Sequence, residues 1–487
     1  MRQKLQSIYE QHPLCCILLL SLIPRLLAAI FAKGYGMHDD MFGPVQAMQE
    51  ALDDFSTVSD GEPRLLLYPM FQYVIFYLCE LLHIFDPQSK MLVVRLFHAF
   101  YSLLVVYFGY KITLLISNEK LAKQVGIILA FIWFLPYMSV RNLVEVASIP
   151  PMLAGVYFVL RSKEKDYGDV LLAGLFFAFA FIMRVQTAFI PIGMAAVLLL
   201  QQRFRMFAVL TFALLAISAF IIGLQDYCIW EKPFESVISY ISYNSTAYND
   251  YPNAPWYTTY ILVIGVLIPP LGVMLFYGFL RTWRQYAILF VPVFLFLLFH
   301  AIYPNKQERF ILTIMPLLII LGICGWNYVV EKSGWWMRHK KLLKGNWIWF
   351  WFINTLLLVL FVGSYSKRTR VESFTYLSDK QVSGIVIDIG TDGSYFPPLF
   401  YLGRNSGTSI EIINVETDEI ANVGNTNYAI IFDESDLDAR KDRISKEFGT
   451  NLQLVQTLEP GLIDKVLHFT NPRHNKNYTA YIYKIEK

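Results

Sequence analysis

Long apolar runs recur along this chain, at residues 14–32, 206–224 and 257–280 among others. At 1.5 Å of rise per residue, nineteen or more such residues cross a hydrocarbon layer about 30 Å thick. Backbone N–H and C=O groups inside lipid must satisfy one another, so runs of this length dictate helices. With 55% hydrophobic and 16% charged residues over 487 positions, the chain is too apolar for an ordinary soluble protein. The first run carries Arg25 and is followed by no small-residue cleavage site, so a retained span is expected rather than a signal peptide.

The net charge of +3 is dispersed and gives no footprint for nucleic acid. Cys15, Cys16, Cys79 and Cys324 lie in apolar runs and Cys228 at the end of one, without metal or disulfide spacing. Candidate spans are 14–32, 91–117, 122–139, 146–160, 169–183, 186–200, 206–226, 257–280, 286–303, 309–329 and 346–364. Residues 65–85 are apolar but hold Pro69, Gln72, Glu80 and His83, and every later loop changes side if they cross. Laying them along the interface leaves about half as many Lys and Arg outside as inside, which the positive-inside rule favours. The expectation is therefore eleven spans, a cytoplasmic N-terminus and an external C-terminus.

That topology gathers unusual side chains outside: His38-Asp39-Asp40, Arg141 to Glu145, Arg184-Val185-Gln186, a Tyr-rich stretch at 240–257, and Tyr303 to Arg309. Any one charge at a span end is what a snorkelling side chain gives. Five such loops on the side where positive charge is disfavoured point to a shared polar site. After Ser364 the pattern changes. Short runs at 384–388, 409–413, 428–432 and 479–483 read as strands, and 436–448 as an amphipathic helix. Domains are expected at 1–364, in the membrane, and at 365–487, an external α/β domain. Asp388 and Asp392 after the first strand read as turn chemistry.

Three segments carry a family resemblance. Residues 248–260, with Pro255-Trp256-Tyr257, resemble the Pro-Trp signature of polyprenyl-phosphate-mannose-dependent mannosyltransferases (glycosyltransferase family 22 of the GT-C superfamily). His300 to Phe310, with Lys306-Gln307-Glu308-Arg309-Phe310, is similar to that family's His-Lys-Glu-x-Arg-Phe loop. His38-Asp39-Asp40-Met41-Phe42 with Gln46 is similar to its Pro-Asp-Glu-aromatic-aromatic-Gln motif. Arg141–Ser148 and residues 174–186 also fit its pattern. The departures are His-Asp-Asp for Pro-Asp-Glu and the absence of a following Thr-Trp-Glu-Trp, where Arg64 to Pro69 stands instead. Residues 370–487 offer no residue-by-residue match to the family pattern.

The resemblance implies an α-helical GT-C membrane enzyme that moves a mannosyl group, with inversion, from a polyprenyl phosphate to a glycan or glycolipid acceptor on the external or lumenal face. It implies Asp39 as general base and Asp40 as its partner, two close acids that need not ionise independently. Lys306, Arg309, Arg141, Arg184 and His38 are the candidates for the donor phosphate. Trp256, Tyr257, Tyr251, Glu308 and Gln46 are those for sugar or acceptor; the aromatic faces also suit a membrane-interface belt. No cofactor or metal is expected. Partners are the lipid-phosphate sugar, the acceptor and membrane lipid, with no nucleic acid. A bacterial cytoplasmic membrane is expected, the endoplasmic reticulum being the alternative. A transferase of another lipid-phosphate sugar, such as an arabinosyl type, a secondary transporter and a non-catalytic scaffold are the competing readings.

Overall fold

The structure, a computed structural model, describes residues 2–38, 40–163, 167–246, 254–390, 395–405, 407–414, 420, 424–432, 436–472 and 475–486. Their contacts divide the chain into two compact units, neither of them continuous in sequence. One comprises Met1–Ala28, Asp54–Phe71 and Leu96–Val362, the other Ala29–Asp53, Gln72–Arg95 and Gly363–Lys487.

The first unit is helical. Six helices among the described residues are long and apolar enough to cross a membrane: Pro13–Phe31, Pro87–Ile116, Val144–Arg161, Phe204–Trp230, Glu308–Lys332 and Lys340–Val362. A seventh candidate is the pair Thr258–Val266 and Leu271–Arg281, bent by 116° at its break. Tyr167–Met183, Val185–Leu200 and Ala287–Ile302 are apolar but shorter. Length therefore singles out fewer spans than the eleven expected from apolar runs, because three of those runs form shorter helices and those at 122–139 and 257–280 break in mid-course. Leu67–Leu81 is not among the span candidates; it is a fifteen-residue helix with Val74, Tyr77, Leu78 and Leu81 exposed.

Burial ranks these helices. Glu308–Lys332 has 89% of its apolar window inside the protein, whereas Lys340–Val362 has 17% and faces outward. The central helix packs on Leu271–Arg281 through glycine: a Cβ on Gly325 would lie 2.0 Å from the Gly278 carbonyl oxygen, so the two backbones touch. Polar side chains join the broken segments. Asn354 accepts from Trp133 N (2.9 Å) and donates to Phe131 O (2.8 Å), satisfying the backbone where helix Glu119–Phe131 ends. Trp133 Nε1 donates to Val266 O (3.0 Å) at the break of the bent pair.

The second unit holds a five-stranded sheet in the order β2-β1-β3-β5-β4, with β1 Gly384–Asp388, β2 Ser409–Ile413, β3 Tyr428–Ile431, β4 Leu452–Leu458 and β5 Ala480–Ile485. β1 is parallel to β2 and β3, while β5 is antiparallel to β3 and β4. The four expected strands are present, as is the helix, at Leu437–Phe448; β4 and the helices Arg368–Ser378 and Leu462–Thr470 are additional. Asp388 binds Gly390 N (3.0 Å) as turn chemistry requires, and its other oxygen pairs with buried Arg440 at 2.8 Å. Asp392 lies outside the described residues.

Parts of the first loop belong to this unit. Gly34, at φ +78°, bridges Ser366 so closely that a Cβ would sit 1.9 Å from the Ser366 oxygen. Gln46 Oε1 accepts from Leu399 N at 3.0 Å, and the Phe76 and Phe400 rings stack at 5.2 Å. Lys90 Nζ reaches Glu80 at 2.6 Å and Gln49 at 2.8 Å.

Replacing Gly325 with Val forces apart helices whose backbones are in contact. The expected loss is about 1–3 kcal/mol, read as a lower midpoint of thermal unfolding for the protein in detergent.

Candidate active site

In the helical unit the polar residues gather around one carboxylate. Leu143 is extended and ends the preceding turn, and Pro150 and Pro151 open the next helix, so the short helix Val144–Ala147 is held as a corner. Glu145 on this corner is buried, and its backbone carbonyl accepts from Thr313 Oγ1 at 2.9 Å. Its Oε1 receives Arg184 Nη1 at 2.6 Å and lies 3.7 Å from Arg309 Nε. Arg184 follows helix Tyr167–Met183 in an extended conformation and also donates to Phe310 O at 3.4 Å. Arg309 Nε donates to Gln307 Oε1 at 2.8 Å. Both guanidinium groups lie against the Phe310 ring, at 5.7 and 5.4 Å from its centroid. Arg141, four residues before Glu145, is buried with its guanidinium 4.6 Å from the Tyr137 ring centroid.

Two guanidinium groups thus share one carboxylate oxygen. Arg184 Nε and Glu145 Oε2 are buried and make no hydrogen bond among the described residues. A buried N–H donor without an acceptor is costly, and an anionic oxygen would satisfy it.

Tyr240 and Lys306 extend the cluster. Tyr240 accepts from Gln186 Nε2 at 2.7 Å, and burial pushes its phenol pKa up against the opposing pull of Arg184. Lys306 donates to the Tyr303 carbonyl, and burial lowers its ammonium pKa below the ordinary 10.5. Trp256 and Tyr257 are exposed and meet edge to face at 5.9 Å. Glu308 is exposed as well, and Tyr251 lies outside the described residues. Read from sequence, Glu145 falls in one of the five external loops, four residues after Arg141, without a role of its own.

In the other unit, Asp40 is buried and accepts from Gly36 N (3.0 Å) and Met37 N (2.8 Å), which fixes the loop that carries the acidic pair. Asp39 lies outside the described residues. His38 is exposed, stacked on Phe42 at 5.3 Å and edge-on to Phe396 at 5.1 Å. Tyr35 is buried, which pushes its phenol pKa up, and it bonds Arg370. Gln46, expected at sugar or acceptor, spends its carbonyl on Leu399 N and its amide on Glu50 (3.2 Å).

A sequence model of the Alg9-like mannosyltransferase family matches residues 63–402. The GPI alpha-1,2-mannosyltransferase 3 of Bos taurus is 22% identical over 326 residues, covering 64% of this chain and 56% of that protein. The chain thus spans little more than half the length of the curated relative it matches. ArnT from Cupriavidus metallidurans, bound to undecaprenyl phosphate, superposes with a TM-score of 0.63 at 12% identity, covering 96% of this chain and 97% of that one. The oligosaccharyltransferase AglB from Archaeoglobus fulgidus, with an inhibitory peptide and a dolichol phosphate, gives 0.53 at 9% identity, covering 87% and 70%. These likenesses show the fold, that of the GT-C membrane glycosyltransferases, and the chain is a multi-pass membrane protein.

Two outcomes are expected. Glu145→Ala leaves Arg184 buried without its counter-ion and costs about 3–5 kcal/mol of stability, seen as a lowered unfolding midpoint. For Lys306 the folded pKa lies below the unfolded one, so the unfolded state binds more protons between them and stability rises with pH there. Wild type should therefore gain on Lys306→Met as pH climbs through the alkaline range towards 10.5, in paired melting curves.

Proposed function

Since the chain belongs to the Alg9-like mannosyltransferase family, we propose that it is a membrane mannosyltransferase that uses a polyprenyl-phosphate mannose donor. The acceptor is a glycan or glycolipid hydroxyl on the external or lumenal face. The observation that carries this reading is the buried cluster of Arg184 and Arg309 on Glu145, in which Arg184 Nε has no hydrogen-bond acceptor among the described residues.

In the proposed reaction the acceptor oxygen attacks the anomeric carbon as the bond from that carbon to the phosphate oxygen breaks. The electron pair leaves with the polyprenyl phosphate, and the hydroxyl proton goes to a carboxylate. Asp39, which matches the first acid of the family motif, is assigned that proton. Asp40, with both oxygens occupied by backbone N–H groups, is assigned to hold the loop. Arg184, Arg309 and Lys306 are assigned to the charge that grows on the leaving phosphate, with Arg141 and His38 as further candidates. Glu145 is a positioning residue that holds two guanidinium groups beside Phe310. Trp256, Tyr257, Tyr251, Glu308 and Gln46 remain the candidates for sugar and acceptor.

Departures from the family motif in the first loop support a bacterial cytoplasmic membrane, and the bovine relative supports an endoplasmic-reticulum setting as the second reading. Transfer of an arabinosyl-type sugar is the competing chemistry on the same fold.

The test uses purified protein in lipid, radiolabelled polyprenyl-phosphate mannose and a glycolipid extract. Wild type should transfer label, and Asp39→Asn should lower turnover by about 10²–10⁴-fold with donor binding retained. Arg309→Gln should lose about 10²–10³-fold. A donor that is neither bound nor consumed by wild type overturns the mannose assignment.

A further inference from the structure

The helix Leu462–Thr470 is turned inside out. Two of its polar side chains face the protein: Asp464 is buried and accepts from Arg368 N at 3.2 Å, and His468 Nδ1 lies 2.7 Å from Asn475 O. Its apolar side chains face outward, with Leu462 67%, Val466 53% and Phe469 87% exposed. At 100° per residue these three fall within a stripe about 60° wide. The helix Leu437–Phe448 of the same unit does the reverse, with Ile444 buried and Lys446 and Glu447 exposed. An outward stripe of this kind needs a partner that water cannot replace.

The surroundings indicate lipid. The helix is fastened to the chain just beyond a membrane span: Asp464 holds Arg368 N, and a Cβ on Gly461 would lie 2.8 Å from the Tyr365 carbonyl oxygen. Tyr365 is three residues past Val362, the last residue of the span candidate Lys340–Val362. Lys465 borders the stripe, half-exposed and paired with Glu459 at 2.6 Å, and Arg368, whose N–H Asp464 holds, is exposed as well. An apolar stripe edged by Lys and Arg is the pattern of a helix lying in the headgroup boundary.

We propose that Leu462–Thr470 is a membrane-interface anchor, with Leu462, Val466 and Phe469 seated among phospholipid acyl chains and the basic flank at anionic headgroups. This inference does not rest on the chemistry proposed above.

The test puts a benzophenone amino acid at position 469 of the full chain, in nanodiscs of phosphatidylcholine and phosphatidylglycerol. The same group at Glu447, exposed on the charged helix, is the control. On irradiation, position 469 should form phospholipid adducts about ten-fold above position 447. Equal labelling at the two positions overturns the proposal, as does an adduct joining two copies of the chain or joining it to another polypeptide. If the 469 variant does not elute as wild type, the same comparison at Leu462 decides in the same way.

Discussion

Glu145 is the constraint on which the polar centre of the helical unit depends. Three corners distant in sequence meet at this carboxylate: its own at 144–147, the turn of Arg184, and the 3₁₀ segment Glu308–Ile314 that brings Arg309. Without it, neighbouring guanidinium groups would repel one another in a setting where burial already disfavours charge. The two cations share a single carboxylate oxygen, and Arg184 Nε keeps a donor with no acceptor among the described residues.

The second unit solves a different problem. A loop that follows a membrane span has few local contacts to hold it, yet this one carries the acidic pair. Its order comes from the tail: Gly34 lies against Ser366, Gln46 receives Leu399 N, and Phe396 closes on His38. Asp40 turns the loop on itself through two backbone bonds. The tail is thereby part of the scaffold of the motif, although it begins more than three hundred residues later.

Much of this was legible from residues alone. The apolar runs locate nearly every long helix, because lipid length and backbone satisfaction leave little choice. Arg184, Lys306 and Arg309 stand out as charges at span ends, and the strands at 384–388, 409–413 and 428–431 stand out by their β-branched runs. What escaped depends on partners far away in sequence. Glu145 is unremarkable until Arg184 and Arg309 arrive. Gln46 matches a family motif, yet a backbone N–H 353 residues away claims its carbonyl. β4 alternates glutamines with aliphatics and has no β-branched run to mark it, and Leu462–Thr470 defeats the usual pattern because its apolar face points out. Apolar runs also overstate continuity, as the 116° bend at residues 267–270 shows.

Arg25 adds a consequence for biogenesis. It sits in the span Pro13–Phe31, fully buried, donating to Ser21, to Ser102 Oγ at 3.0 Å and to the carbonyls of Ala130 and Leu129 at 3.0 and 3.2 Å. Those later partners are 77 to 105 residues downstream. A ribosome adding residues in order delivers the arginine to the membrane well before Ser102 or the helix ending at Phe131 exists. An arginine near mid-span opposes insertion by about 2.5–3.5 kcal/mol, which the leucines and isoleucines around it must outweigh. Until Ser102 and the helix Glu119–Phe131 are made, Arg25 has only Ser21 of its own span among these partners, so the first span must enter the membrane before most of its charge is met.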